Sequence, residues 1–105
     1  MKKRFLLLLA ISILSSQFVF AGRISSDCAY KGKRLYGKVK VVDSFEDFKV
    51  KKVTSFEDIK VKKVTNFPDR CGRWQFVDTF EDFKIKFVDS FEDFSIKYVD
   101  NFEGL

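Results

Sequence analysis

An all-β fold assembled from six short repeats follows from three features of the 105-residue sequence. The segment VDSFEDF occurs at Val42–Phe48 and again at Val88–Phe94, and VDTFEDF occurs at Val77–Phe83. Relatives of it stand at residues 53–59 (VTSFEDI), 64–69 (VTNFPD) and 99–103 (VDNFE). The motif phenylalanines fall at 45, 56, 67, 80, 91 and 102, a spacing of eleven broken once by thirteen. Between Gly37 and Gly104 there is no Ala and no Leu, while Val, Ile, Phe, Thr and Tyr abound. An eleven-residue period also suits a right-handed helical supercoil, but this composition favours strands.

The first element is a leader. Lys2, Lys3 and Arg4 precede an apolar run from Phe5 to Phe20, which ends in Val19-Phe20-Ala21. Residues 1–21 read as a Sec-type signal peptide cleaved after Ala21. The run is short for a membrane anchor, and Cys28 follows Ser-Ser-Asp rather than a lipobox. The expected destination is the bacterial periplasm or the extracellular medium. The leader holds three of the twenty Lys and Arg residues and no acid, leaving seventeen bases against fifteen acids in the mature chain. That near balance gives no reason to expect a nucleic-acid partner. Residues 22–105 read as a single domain, expected to be monomeric, without a membrane anchor, and open to a periplasmic or cell-surface partner.

Within each repeat the strand follows the motif. Phe83, Ile85 and Phe87 alternate with Lys84 and Lys86, and Phe94, Ile96 and Tyr98 alternate with Ser95 and Lys97. This is the pattern of a strand with one buried face. The motif itself reads as a turn: Pro68 replaces Glu in the third copy, and Pro suits the second position of a type I turn. An odd period would swap faces at every repeat. The turn must therefore absorb one residue of phase, which we place at Val53, Val64, Val88 and Val99. The six motif phenylalanines are expected in the core, so Phe56→Ala or Phe91→Ala would cost about 3–5 kcal/mol.

A second periodicity lies over the first. Shifting the chain by 35 residues lays Gly37–Asp69 on Gly72–Gly104 with 18 identities in 33 positions. The halves are separated by the extra residues Arg70 and Cys71. A repeat array of this kind needs neighbouring units to bury its apolar face, and a compact interleaved solenoid or prism is the expected architecture.

The run from KGKRLYGKVKVVDSFEDF through CGRWQFVDTFEDF to YVDNFEG resembles the 7(1) septoil knot domain family of small secreted bacterial proteins. The likeness covers residues 27–104 and rests on the VDSF-[EP]-D repeats, the CGRWQ interruption and the two-half layout. This sequence mostly carries Glu where that family's motif has Pro, which should loosen the turns. The resemblance implies a seven-crossing torus knot and no established biochemical activity.

Catalytic constellations are absent from the sequence. There is no His, so Ser-His and Cys-His pairs and His metal sites are excluded. The turn acids, such as Asp89, Glu92 and Asp93, surround a bulky Phe where a calcium loop would need converging oxygens and a Gly. Six near-identical acids do not form the differentiated pair that glycoside hydrolysis requires. Neither an enzyme nor a metal or other cofactor is expected.

Two features remain for binding. Lysines form columns at 38, 49, 60 and 84 and at 40, 51, 62, 86 and 97. Lys51, Lys52, Lys62, Lys63, Lys86 and Lys97 make a candidate face for polyanions; the competing reading is an outward strand face kept soluble by charge. Lys52 and Lys63 correspond to Phe87 and Tyr98 in the second half, so one half is expected to be more cationic and the other more aromatic. Trp74, Phe76, Phe87 and Tyr98 are either a binding patch or core. Cys28 and Cys71 are the only cysteines and are expected to pair in an oxidising compartment. The alternatives are a covalent dimer or a reactive thiol.

Overall fold

The computed structural model describes residues 23–105, so the leader assigned above lies outside the described residues. An antiparallel pair, β1 (Ala29–Tyr30) and β2 (Lys33–Arg34), precedes six longer strands. These are β3 (Gly37–Val41), β4 (Phe48–Lys52), β5 (Ile59–Lys63), β6 (Arg73–Phe76), β7 (Phe83–Phe87) and β8 (Phe94–Tyr98). They close into an all-parallel barrel in the order β3-β6-β5-β8-β4-β7. No helix occurs among the described residues.

The ring order interleaves the two halves. Every strand of the first half lies between two strands of the second. The chain therefore circles the axis once through β3, β4 and β5, then fills the gaps with β6, β7 and β8. Each strand pairs with one neighbour along its first part and with the other along its second. Thus Val39–Val41 of β3 meet Phe83–Ile85, whereas Phe48–Val50 of β4 meet Ile85–Phe87.

Side chains at matching steps of the repeats form three inward tiers. The middle tier is Val39, Val50, Val61, Trp74, Ile85 and Ile96, and all six are fully buried. The first tier is Gly37, Phe48, Ile59, Gly72, Phe83 and Phe94, also buried. A plug of Ile24, Cys28, Tyr30, Leu35 and Tyr36 packs against this core. Tyr30 lies 5.5 Å from both Phe48 and Phe94, ring centre to ring centre, and the Trp74 indole N–H donates to the Leu35 carbonyl at 3.0 Å. Buried aromatic groups contribute most to so small a core. The third tier, at the C-terminal ends of the strands, is Val41, Lys52, Lys63, Phe76, Phe87 and Tyr98, and it stays half-open or exposed.

The connectors explain how an odd repeat keeps one face inside. Each opens with a motif valine, whose N–H donates to a middle-tier carbonyl: Val42 to Ile85, Val53 to Ile96, Val77 to Val39 and Val88 to Val50. Four of them close with an aspartate whose N–H reaches the residue one step earlier on that same strand: Asp47 to Lys84, Asp58 to Ser95, Asp82 to Lys38 and Asp93 to Lys49. A connector thus straddles one strand of the opposite half, and the odd residue is taken up between its two ends. The core fills the inner side, so the crossing is external. First-half connectors pass over β7 and β8; second-half segments pass over β3 and β4, and residues 99–104 over β5. Each half lies outside the other, so the halves interlock. This arrangement runs against the strong general rule that chains do not thread.

The junction between halves departs from the pattern. Val64 donates to the Trp74 carbonyl, but the chain then turns into β6 itself instead of crossing it. Gly72 has φ +85°, and a Cβ there would press on the Lys60 carbonyl and sit 2.6 Å from the Gly104 N. Only glycine fits where the C-terminal segment crosses this turn. Arg70 and Cys71 supply the extra length, and Cys71 is disulfide-bonded to Cys28.

One sequence expectation is overturned. The six motif phenylalanines are not core: they are 71–96% exposed, and all take φ between 55° and 62°. The buried phenylalanines are instead those that open the strands, Phe48, Phe83 and Phe94. The motif ring sits at the tip of a connector that must pass outside another strand, and there it has no apolar neighbour to cover it.

Candidate binding surfaces

Three surfaces result from this winding: the connector tips, the barrel wall and the open third tier. At the tips, the motif residues divide their work. The aspartate carboxylate clasps the crossed strand by accepting from its main chain: Asp47 from Lys84 N–H, Asp82 from Lys38 N–H and Asp93 from Lys49 N–H, all at 2.7 Å, and Asp58 from Ser95 N–H at 2.8 Å. The neighbouring glutamate pairs with the lysine three residues on: Glu46–Lys49 and Glu57–Lys60 at 3.4 Å, Glu81–Lys84 at 3.1 Å. In the fifth copy Ser95 replaces that lysine, and Glu92 turns to Arg23 at 3.6 Å. Glu46, Glu57 and Glu81 are held below the usual carboxylate range, first by a hydrogen bond from their own main-chain N–H and then by these ammonium groups. For Glu103 the Arg73 guanidinium at 2.7 Å is the leading cause. The glutamates and aspartates that follow the tip phenylalanine are therefore structural clasps. No group of three or more His, Cys, Asp or Glu able to hold a metal occurs among the described residues.

The phenylalanine is the residue of the motif left without a structural partner. An L-residue in the left-handed region costs roughly 1–2 kcal/mol, and a bulky one there is a genuine outlier. Six copies of the same outlier encircle the barrel.

On the wall, outward positions are cationic on nearly every strand. Register sets Lys40 beside Lys84, Lys49 beside Lys86, Lys60 beside Lys97 and Lys62 beside Arg73. Like charges directly opposite are destabilising. Of the six candidate lysines, Lys51, Lys62, Lys86 and Lys97 point outward from β4, β5, β7 and β8, four strands adjacent in the ring. Lys52 and Lys63 instead belong to the third tier. None of the six makes an ion pair among the described residues, whereas Lys49, Lys60 and Lys84 each make one, although Lys86, Lys97 and Lys62 lie close enough to Glu46, Glu57 and Glu103 to help hold those carboxyls down.

The third tier corrects the expectation of a cationic half and an aromatic half. Because the halves interleave, Lys52 lies 4.6 Å over the Phe87 ring and Lys63 4.5 Å over the Tyr98 ring. Such cation–π contacts hold the ammonium groups in place. The aromatic set also divides: Trp74 is fully buried, while Phe76, Phe87 and Tyr98 are half-buried around the barrel mouth. Desolvation raises the Tyr98 phenol above its ordinary range, so it stays protonated at neutral pH. Three notches open at this rim. One of about 210 Å³ is lined by Val41, Phe76, Val77 and Asp78. The second, about 330 Å³, is lined by Lys51, Lys52, Phe87, Val88 and Asp89. Lys52, Val53, Thr54, Lys97 and Tyr98 line the third, of about 320 Å³.

The plugged end carries a wider hollow of about 490 Å³ beside the disulfide, with Asp69, Arg70 and Glu103 in its wall. Arg73 pairs with Glu103 and Asp69 at its edge.

A family profile for the 7(1) septoil knot domain matches residues 32–105. The chain belongs to the septoil knot family. The interlocked halves are the geometry that a septoil knot domain needs, and the match spans the whole barrel and both sets of repeats. No curated protein matches the chain. A lysine-rich rim and the Phe tips are thus features of this septoil knot domain to be read from its own chemistry.

Proposed function

We propose that the protein is an exported, rigid, non-enzymatic binding module whose contact elements are the six Phe-tipped connectors. One observation carries this reading: six phenylalanines held exposed at positive φ. Glycine would serve that backbone without strain, so a ring kept there at a cost in stability is best explained by what it touches. Strain of this kind persists only where the surrounding structure over-determines it, and the bonds at both ends of every connector but the Phe67 one do so. The leader, the disulfide and the lack of any membrane-crossing helix among the described residues support export to the periplasm or beyond. The test is a comparison of the mature protein with a variant carrying Gly at all six tips. Cross-linking in the exported fraction should give a saturable complex with the native protein alone. Equal complex formation by both, with thermal midpoints preserved, would refute the tips as contact elements.

A second reading, polyanion binding on the lysine wall, is favoured by the outward lysines Lys51, Lys62, Lys86 and Lys97 on four strands adjacent in the ring. A chain of anionic groups could span these four strands along one face. Retention on a heparin column should then fall steeply with salt, and elution at low salt sinks this reading.

A further inference from the structure

The repeat breaks its own rule twice, and both breaks meet at one place. Four copies begin with Val-Asp: Asp43, Asp78, Asp89 and Asp100. The copies at 53 and 64 begin with Val-Thr, Thr54 and Thr65. These are also the two copies whose preceding third-tier residue is a lysine, Lys52 or Lys63. At each, an acid is lost and a base gained. The barrel then brings the two copies to either side of one residue, because β8 lies between β4 and β5 in the ring. Tyr98 ends β8.

The effect on the notches is direct. The Val41 notch carries Asp78 and the Phe87 notch carries Asp89. The Tyr98 notch carries Thr54 in the corresponding wall, with Lys52 and Lys97 and no acid. The Lys52 ammonium itself rests over Phe87, and Lys63 adds an ammonium held over the Tyr98 ring. Its remaining wall is apolar, formed by Val53 and the tyrosine ring. At about 320 Å³ it stands at the small end of ligand sites.

We infer that the Tyr98 notch is a binding site for an anionic amphiphile, a phosphate or carboxylate head carried on an apolar body. Lys97 in the wall and Lys63 over the tyrosine ring supply positive charge for the head; Val53, the Lys52 stem and the Tyr98 ring border the body; Thr54 offers a hydroxyl where the regular repeat would place a repelling carboxylate. This requirement for an apolar body distinguishes the site from the general attraction of a polyanion to the wall. The site is independent of the Phe tips, so a protein with Gly at all six tips should retain it.

The experiment is a titration of the mature, disulfide-bonded protein with octyl phosphate, followed by amide chemical shifts, with octanol and inorganic phosphate as half-ligands. Octyl phosphate should saturate at one site, with shifts centred on residues 52–54, 63 and 97–98, and bind at least tenfold more tightly than either half-ligand. Thr54→Asp restores the regular repeat and so should fold normally; it should weaken octyl phosphate at least tenfold. Lys40→Gln, an equal charge loss of one on β3, should change it less than twofold. Anionic phosphatidylglycerol vesicles form the second arm. Binding that Thr54→Asp abolishes there identifies a lipid headgroup as the source, and binding of octyl phosphate alone identifies a free amphiphile. Inorganic phosphate binding as tightly as octyl phosphate, shifts spread evenly over the wall lysines, or a Thr54→Asp protein with unchanged affinity would each overturn the assignment.

Discussion

Replacing a tip phenylalanine separates a strained contact residue from a core residue, because the two assignments predict opposite signs. Phe56 is 96% exposed with φ 61°. Its ring buries almost nothing, so Phe56→Ala should change stability by no more than about 0.5 kcal/mol. Ala keeps the left-handed strain, whereas Gly removes it. Relief of roughly 1–2 kcal/mol is offset by about 0.5–1 kcal/mol of added chain entropy in the unfolded state. Phe56→Gly should therefore stabilise by roughly 0.5–1 kcal/mol, which for a domain of this size raises Tm by about 2–8 °C.

The control is Phe94, three residues beyond its own tip, Phe91. It is fully buried, and Phe94→Ala should cost about 3–5 kcal/mol. The assay is equilibrium denaturation with incubation long enough for a threaded chain to equilibrate, together with calorimetry. A Phe56→Ala loss above about 1.5 kcal/mol, or a destabilising Phe56→Gly, would show that the ring is packed and the backbone unstrained.

Three further outcomes are expected. Intact mass of the exported protein should be two hydrogens below the reduced mass, with no thiol labelled under denaturing conditions; reduction of Cys28–Cys71, 43 residues apart, should cost roughly 4 kcal/mol on the loop-entropy model, and two labelled thiols would refute the bond. Glu46, Glu57, Glu81 and Glu103 all have folded pKa values below the ordinary one, so their contribution is present above the unfolded glutamate pKa and lost as pH falls through the folded values. Tm should decline on acidification through that window, and a Glu103→Gln variant should decline less; an identical pH profile would remove Glu103 from the account. Refolding of the reduced chain from strong denaturant should be slow, since threading and long-range closure precede most contacts, and complete recovery within milliseconds would speak against the interlocked path.

Much of the fold was legible because the repeat writes it locally. The Phe83-Ile85-Phe87 alternation placed the strands, the 35-residue shift separated the halves, and two lone cysteines behind an apolar leader named their bond. The interleaving was not legible in periodicity, since parallel pairing between Val39 and Phe83 leaves no local trace. It surfaced only through the family resemblance. The tip phenylalanines were misplaced because apolar identity was allowed to outweigh phase: Phe45 stands three residues before Phe48, an odd step, so both cannot face inward along one strand. The Tyr98 notch carried a readable signal, the paired exchange of Asp for Thr and aromatic for Lys. Its meaning depended on β8 lying between the two altered copies.

The interlock and the tips are one device. The only strands that follow each other in sequence and also pair within the barrel are β5 and β6, and every neighbour in the ring comes from the opposite half. Neither half alone has a sheet to present, and a connector has fixed ends only when the opposite half is in place. Val42 and Asp47 hold the first tip by bonds to β7, a strand made forty residues later. Left-handed phenylalanine is tolerated there because both ends of the turn are anchored on the strand it crosses. A simple solenoid with each coil stacked on the last would leave such a tip free to relax. Winding the second half through the first removes that freedom at all of the clasped tips together, and this is how a chain with so small a core keeps strained aromatic rings facing solvent.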